Sequence, residues 1–154
     1  MMGLAHEICS EMGFGWSTRL LLADSALDPS VEYPVPAEVG QYLAEKYGYR
    51  PGIRAEATAR IVDVLNVLAT RLKAERANGN RFLMGAEVTA VDCYWATFCV
   101  FLKPLPHEQC DIMEWLRAAF EFPYPDIRPA LDPVLIRHRD FMYAECLGLP
   151  TVLT

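Results

Sequence analysis

Residues 88–93 read Val88-Thr89-Ala90-Val91-Asp92-Cys93, and this hexamer has the pattern of a helix N-terminus. Thr89 suits the N-cap position, where its hydroxyl accepts a hydrogen bond from a backbone N–H of the first turn. Asp92 lies three residues later and can accept from the N–H of Thr89, which completes a capping box. Val88 and Cys93 stand at the two positions of a hydrophobic staple. These features are typical of a helix that begins away from water, where its free amides need partners from the protein.

The residues that follow predict a buried central helix over residues 89–103. From Ala90 to Leu102 only Asp92 is charged, and apolar side chains point in every direction around a helix. A helix that is apolar on all sides is buried inside its domain. We therefore expect other helices to surround this one.

The rest of the chain also has helical apolar spacing and almost no strand signal. Five further helices are predicted, over residues 3–27, 37–47, 54–77, 108–120 and 131–147. Gly13 and Gly15 weaken the first of them, so we expect a kink there. The predicted fold is all-α, a bundle of five to six helices that occupies residues 1–150 and is followed by a tail at 151–154.

Composition excludes several classes of protein. The chain has 154 residues, of which 53% are hydrophobic and 22% charged, with a formal net charge of −6. This acidic balance argues against a nucleic-acid binder, which needs clustered cations. No apolar run reaches the roughly 18 residues that span a bilayer, and the first residues lack the basic leader of a signal peptide. We expect a cytoplasmic protein with neither nucleic acid nor a membrane as its partner.

Cysteine and histidine positions predict no metal site and no catalytic group. We expect reduced, mostly buried thiols at all five cysteines: Cys9, Cys93, Cys99, Cys110 and Cys146. Two His-x-x-Cys pairs, at residues 6–9 and 107–110, have a spacing that suits zinc on a helix, but nothing in the sequence joins the pairs. No nucleophile–base pair, phosphate-binding loop or dinucleotide motif occurs, so whether the chain is an enzyme stays open.

The helix start at residues 88–92, together with the preceding Phe82-Leu83-Met84-Gly85, resembles one region of the glutathione S-transferase superfamily. That region belongs to the all-helical C-terminal domain of the family. Gly85, Thr89 and Asp92 match its pattern, while Val91 stands where alanine is usual. The order of helices also agrees over residues 3–150. Nothing in the sequence resembles the thioredoxin-like N-terminal domain, which in the family holds glutathione and the catalytic residue.

The resemblance implies that the first helix lines the cleft where an apolar electrophile meets glutathione. The substrate-binding candidates are then Met12, Phe14 and Trp16 as an apolar wall, and Arg19 as the partner of an anionic group. Met12, Trp16 and Arg19 share one face of the predicted helix. Alternatively, Met12 and Trp16 are core residues and Arg19 is a surface charge.

Two functions remain open at this point. In the first, the chain is the substrate-binding half of a glutathione transferase-like protein. It then holds no cofactor itself, and a thioredoxin-like domain, upstream or on another chain, supplies the site for glutathione as co-substrate. In the second, it is a stand-alone, non-catalytic helical module that binds a protein or a small apolar ligand.

In either function, this chain alone has an uncovered apolar face, the one that packs against the thioredoxin-like domain in a complete family member. We therefore expect a homo-oligomer such as a dimer, or a complex with a thioredoxin-like domain. A clean monomer in light scattering at micromolar concentration would contradict the homo-oligomer.

Overall fold

The apolar stripe within residues 54–77 forms the longest helix of the computed structural model, which describes residues 2–152. This helix, α4, spans Ile53–Ala77. Gly79, with a φ of 81°, follows it in the left-handed conformation that commonly ends a helix. The stripe is completely buried at Ile61, Leu65, Leu68 and Leu72.

The other α-helices are α1 (Met2–Cys9), α2 (Phe14–Leu27), α3 (Ala37–Tyr47), α5 (Ala90–Phe98), α6 (Glu114–Phe120) and α7 (Pro133–Met142). Shorter helical segments are the 3₁₀ turns Cys99–Phe101 and Arg128–Ala130 and the π-helical segment Tyr143–Leu147. Two short parallel strands also pair, β1 (Cys110–Asp111) and β2 (Thr151–Val152). The predicted all-α fold is confirmed.

The prediction of one kinked helix over 3–27 was wrong, because a turn separates α1 from α2. In this turn Met12 adopts a φ of 55°, and the N–H of Gly13 donates to the carbonyl of Ser10 at 2.8 Å. A Cβ at Gly13 would lie 2.9 Å from three backbone carbonyl oxygens, so the turn has no room for a side chain there. Met12 is therefore the residue in the left-handed conformation. Gly13 is needed because the backbone packs too closely there for any side chain.

Three other helices are shorter than predicted. The helix expected over 108–120 begins only at Glu114, because β1 occupies Cys110–Asp111. The central helix is regular up to Phe98 and continues as a 3₁₀ turn to Phe101. The helix expected over 131–147 begins at Pro133, after the N-cap Asp132, and becomes π-helical at Tyr143.

Helix α5 lies in the interior, packed against α1 and α7, while α2 packs against α3 and α4. Trp95 of α5 is fully buried, and its indole Nε1 donates to the carbonyl of Leu135 on α7 at 3.0 Å. Burial is not uniform around the helix, however, because Tyr94 is 40% exposed. The expectation of burial on every side is therefore wrong for that face.

The end of the described chain is tied to the bundle through β2. The N–H of Thr151 donates to the carbonyl of Gln109 at 2.9 Å. Residues 153 and 154 of the predicted tail lie outside the described residues, and the division into a domain at 1–150 and a tail at 151–154 stays a prediction. Within residues 2–152, none of the helices has the length and hydropathy needed to cross a membrane.

Candidate functional site

The N-terminus of α5 is organised around the carboxylate of Asp92, which is completely buried. Asp92 Oδ2 accepts from the N–H of Thr89 at 3.0 Å and from the Thr89 hydroxyl at 2.7 Å. Both reciprocal contacts of the predicted capping box are present. Asp92 Oδ1 accepts from the N–H of Leu83 at 2.8 Å, so the same side chain also holds the preceding loop.

His138 of α7 supplies a further contact to Asp92 that sequence analysis missed. Its Nε2 lies 2.8 Å from Asp92 Oδ1, and neither side chain is exposed. Burial raises the pKa of Asp92, but the hydrogen bonds from His138, Leu83 and Thr89 outweigh it, so the pKa lies below its usual value. The resulting cluster joins α5, α7 and the loop before α5. No local pattern reveals it, because the two residues lie 46 positions apart.

The two residues of the predicted hydrophobic staple are not buried in the bundle. Val88 is 48% exposed, and Cys93 is half-buried. The staple between these two residues stays a prediction.

The four predicted substrate-binding residues do not form one surface. Phe14 is fully buried, and its ring packs edge-on against Trp95 at a centroid distance of 5.8 Å. It is thus a core residue in this structure and offers no wall to a ligand. Met12 lies in the turn before α2, where its carbonyl accepts from Arg60 Nε at 2.9 Å.

Trp16 and Arg19 of α2 lie together with three other aromatic residues, all half-buried. We call this set the aromatic patch: Trp16, Arg19, Tyr47, Phe98 and Phe101. The Trp16 and Tyr47 rings meet edge to face at 4.9 Å, and Trp16 Nε1 donates to the carbonyl of Tyr47 at 3.0 Å.

Arg19 is the cation of the aromatic patch. Its guanidinium lies 4.6 Å from the centre of the Phe101 ring and 5.6 Å from that of Phe98. One terminal nitrogen donates to the carbonyl of Gly15 at 2.9 Å. A Cβ at Gly15 would lie 2.1 Å from the Phe98 ring, so this glycine allows α2 and Phe98 to touch. Half-buried rings beside a charged guanidinium offer apolar contact together with attraction for an anion.

Cys9 lacks the features of a nucleophilic thiol. Partial desolvation raises its pKa, and the charge of Arg19 lowers it by less. Nucleophilic cysteines need the opposite shift, because the thiolate is the reactive form.

A cavity of about 560 Å³ lies elsewhere, between residues 103–106, α6 and α7, and contains none of the predicted site residues. Arg117 donates to the carbonyls of Leu105 and Cys110, both at 2.9 Å, and Arg139 donates to that of Lys103. These guanidinium groups hold the irregular segment that walls the cavity. The sequence signal for it was the pair Pro104 and Pro106, which excludes a regular helix without showing what fills the space.

The cysteines are partly exposed, in contrast to the expectation. None of the five forms a disulfide, but Cys9 and Cys146 are exposed. Within residues 2–152, no group of three or more His, Cys, Asp or Glu side chains is arranged to hold a metal ion. His107 instead lies 3.7 Å from Asp111.

Comparison with known proteins gives one match. A family model described as "Glutathione S-transferase, C-terminal domain" matches residues 51–140. The matched region runs from the start of α4 into α7 and includes Thr89, Asp92 and His138. Trp16 and Arg19 lie before it. No curated protein and no solved structure gives a significant match to the chain.

Proposed function

Since this chain belongs to the glutathione S-transferase C-terminal domain family, we propose that it is the substrate-binding helical half of a glutathione transferase-like protein. In this role it binds an apolar electrophile, and a thioredoxin-like domain supplies the site for glutathione. The helical half excludes water and orients the electrophile, while the other domain positions the attacking thiolate.

The observation that supports this role is the aromatic patch. Its four rings are half-buried, so each keeps apolar surface open for a ligand. A ligand ring that covers roughly 100 Å² of such surface gains about 2.5 kcal/mol. A charge-assisted hydrogen bond from Arg19 to an anionic group would add about 1.5 kcal/mol or more. These contributions predict weak binding by the chain alone and a preference for ligands that are both aromatic and anionic.

Binding of 8-anilinonaphthalene-1-sulfonate, which is aromatic and anionic, tests the ligand site by fluorescence titration. We expect Arg19→Gln to weaken binding about tenfold. The matched control is Lys103→Gln, which removes one positive charge from the 560 Å³ cavity instead. It should leave the affinity unchanged. The opposite pattern would place the ligand in that cavity and contradict the role of the patch.

Conjugation of glutathione to a chloronitrobenzene tests the reaction. We expect no turnover from the chain alone and turnover when a cognate thioredoxin-like domain is added. No turnover under either condition would favour the non-catalytic binding module. Rapid turnover by the isolated chain would contradict both functions.

A further inference from the structure

Three arginines from separate parts of the chain surround a cavity of about 260 Å³. Arg76 lies in the last turn of α4, Arg81 lies in the loop that follows, and Arg137 lies on α7. Phe141, one turn after Arg137 on α7, completes the lining. We call this site the arginine cavity.

None of the three guanidinium groups forms a salt bridge within the described residues, although the pKa of Asp132 is lowered by the hydrogen bond from Lys73 and, to a lesser extent, by the charge of Arg137. Within residues 2–152, none of Arg76, Arg81 and Arg137 forms an ion pair or a hydrogen bond; Arg81 instead lies 4.5 Å from the centre of the Phe141 ring. Most other arginines of the described chain form salt bridges, among them Arg50 with Glu56, Arg54 with Asp24, Arg60 with Glu7 and Arg71 with Glu75, whereas Arg19 and Arg128 donate to backbone carbonyls. The arginine cavity thus concentrates three cations that form no salt bridge, in a chain whose formal charge is −6.

The carboxylates nearby in sequence are engaged by other groups, and one of them, Asp140, pairs with Arg139. Glu75 accepts from Arg71 and from the side chain of Asn80, both at 2.6 Å. Asp132 pairs with Lys73 and caps α7. Glu75 is therefore not available to the arginine cavity, and Asp132 is shared between Lys73 and Arg137, so it neutralises the three arginines only in part. An anion from solution can supply the remaining negative charge.

The floor of the arginine cavity is fixed by ring packing. Phe141 stacks on His138 at a centroid distance of 6.0 Å, and His138 in turn contacts the buried carboxylate of Asp92. Phe141 also packs against Phe82 at 5.6 Å. Arg81 lies against this fixed ring of Phe141, which reduces the ordering that ligand binding requires of that arginine.

We propose that the arginine cavity binds the phosphoryl group of a small phosphorylated molecule. A guanidinium presents parallel N–H donors that match phosphate oxygens, and three of them balance a multiply charged anion. The volume of about 260 Å³ is below that of most drug-sized ligand sites and suits a phosphate or diphosphate group. This inference is independent of the glutathione chemistry proposed above.

Calorimetric titration with inorganic pyrophosphate and inorganic phosphate tests this proposal, at an ionic strength held constant with sodium chloride. We expect pyrophosphate to bind more tightly than phosphate. Arg81→Gln and Arg137→Gln should each weaken pyrophosphate binding at least fivefold. Arg137→Lys, which keeps the charge but loses the planar donors, should lie between wild type and Arg137→Gln.

The matched control is Arg128→Gln, an exposed arginine outside the arginine cavity, which should change the affinity less than twofold. The substituted arginines are all exposed, so the variants should keep the wild-type circular dichroism spectrum. No binding heat at constant ionic strength would overturn the proposal. Equal weakening by Arg128→Gln would also overturn it, because that result indicates attraction by general surface charge.

Discussion

Replacement of Asp92 by alanine is the sharpest test of how the central helix is held. The Asp92 carboxylate accepts from the N–H of Leu83, from the N–H and hydroxyl of Thr89, and from His138 Nε2. Alanine leaves the donors of Leu83 and His138 in a site from which water is excluded, since Leu83, Asp92 and His138 are all 0% exposed, whereas Thr89 is half-buried. The substitution removes only the carboxylate that these donors share and leaves the backbone of α5 unchanged.

The expected loss of stability is large. Each buried donor left without an acceptor costs about 1–3 kcal/mol, and Asp92 is the acceptor for more than one of them. We expect Asp92→Ala to lower the free energy of unfolding by about 4 kcal/mol. The loss is not larger because the loop before α5 can relax and let water reach the N–H of Leu83. A chain of this length has a total stability of roughly 8–15 kcal/mol, so the variant still folds.

Urea unfolding at pH 7 measures this loss, with Thr89→Ala as the matched control. Thr89→Ala removes the N-cap hydroxyl and leaves the contacts of Asp92 with His138 and Leu83 in place, so it should cost about 1 kcal/mol. If Asp92→Ala costs no more than Thr89→Ala, then His138 and Leu83 contribute nothing, and the three-way cluster is not what holds α5.

The same carboxylate predicts a pH dependence with a definite sign. The pKa of Asp92 is lowered in the folded protein, so its contribution is fully present above the unfolded-state pKa of about 4. That contribution disappears as the pH falls from about 4 through the lowered pKa. Asp92→Asn should therefore be less stable than wild type at pH 7, and its stability should fall less steeply below pH 4. Parallel pH profiles of the two proteins would contradict this assignment.

Two further predictions concern packing and thiol exposure. A Cβ at Gly40 would lie 2.6 Å from the Cβ of Ala26, where α3 packs on α2, so Gly40→Ala should cost about 1–3 kcal/mol in urea unfolding. Gly3→Ala in open space should be neutral or slightly stabilising, and equal effects of the two substitutions would refute the close approach of α2 and α3. Cys9 and Cys146 are exposed and should react with Ellman's reagent in the native protein, whereas burial of Cys99 raises its pKa to about 12 and should delay its reaction until unfolding. Rapid labelling of all three cysteines in native buffer would show that Cys99 is accessible.

Local patterns were enough to predict the helices and the capping box. The stripe through Ile61 and Leu72 repeats with the helical period, and the bounds of α4 follow from it to within one residue. The contact between Thr89 and Asp92 spans three residues, so its spacing alone specifies the geometry. Both predictions depend on the helical repeat, which acts on residues that are close in sequence.

Contacts between distant residues could not be predicted in this way. His138 reaches Asp92 across 46 positions, and β1 pairs with β2 across about 40. The two-residue strands carry too few residues for an alternating pattern to show. The turn at Met12 was missed because a non-glycine residue in the left-handed conformation leaves little trace in composition.

The candidate site was predicted in part for the same reason. Trp16 and Arg19 share a helix face and do lie together, but Tyr47 and Phe101 join them only through the packing of other helices. Phe14 points to the other side of α2, into the core, which the spacing of residues 12–19 already allowed. The arginine cavity draws on three separate segments and has no local signature.

The clamp that Arg117 and Arg139 place on the backbone of residues 103–110 has a consequence for how this protein tolerates mutation. The shape of that segment depends in part on carbonyl groups, which every amino acid provides, and in part on its buried side chains, such as Leu105 and Cys110. Its exposed residues, such as His107 and Glu108, are therefore free to diverge between relatives without loss of structure. Arg117 and Arg139 would each accept almost no replacement, because lysine lacks a second donor arm.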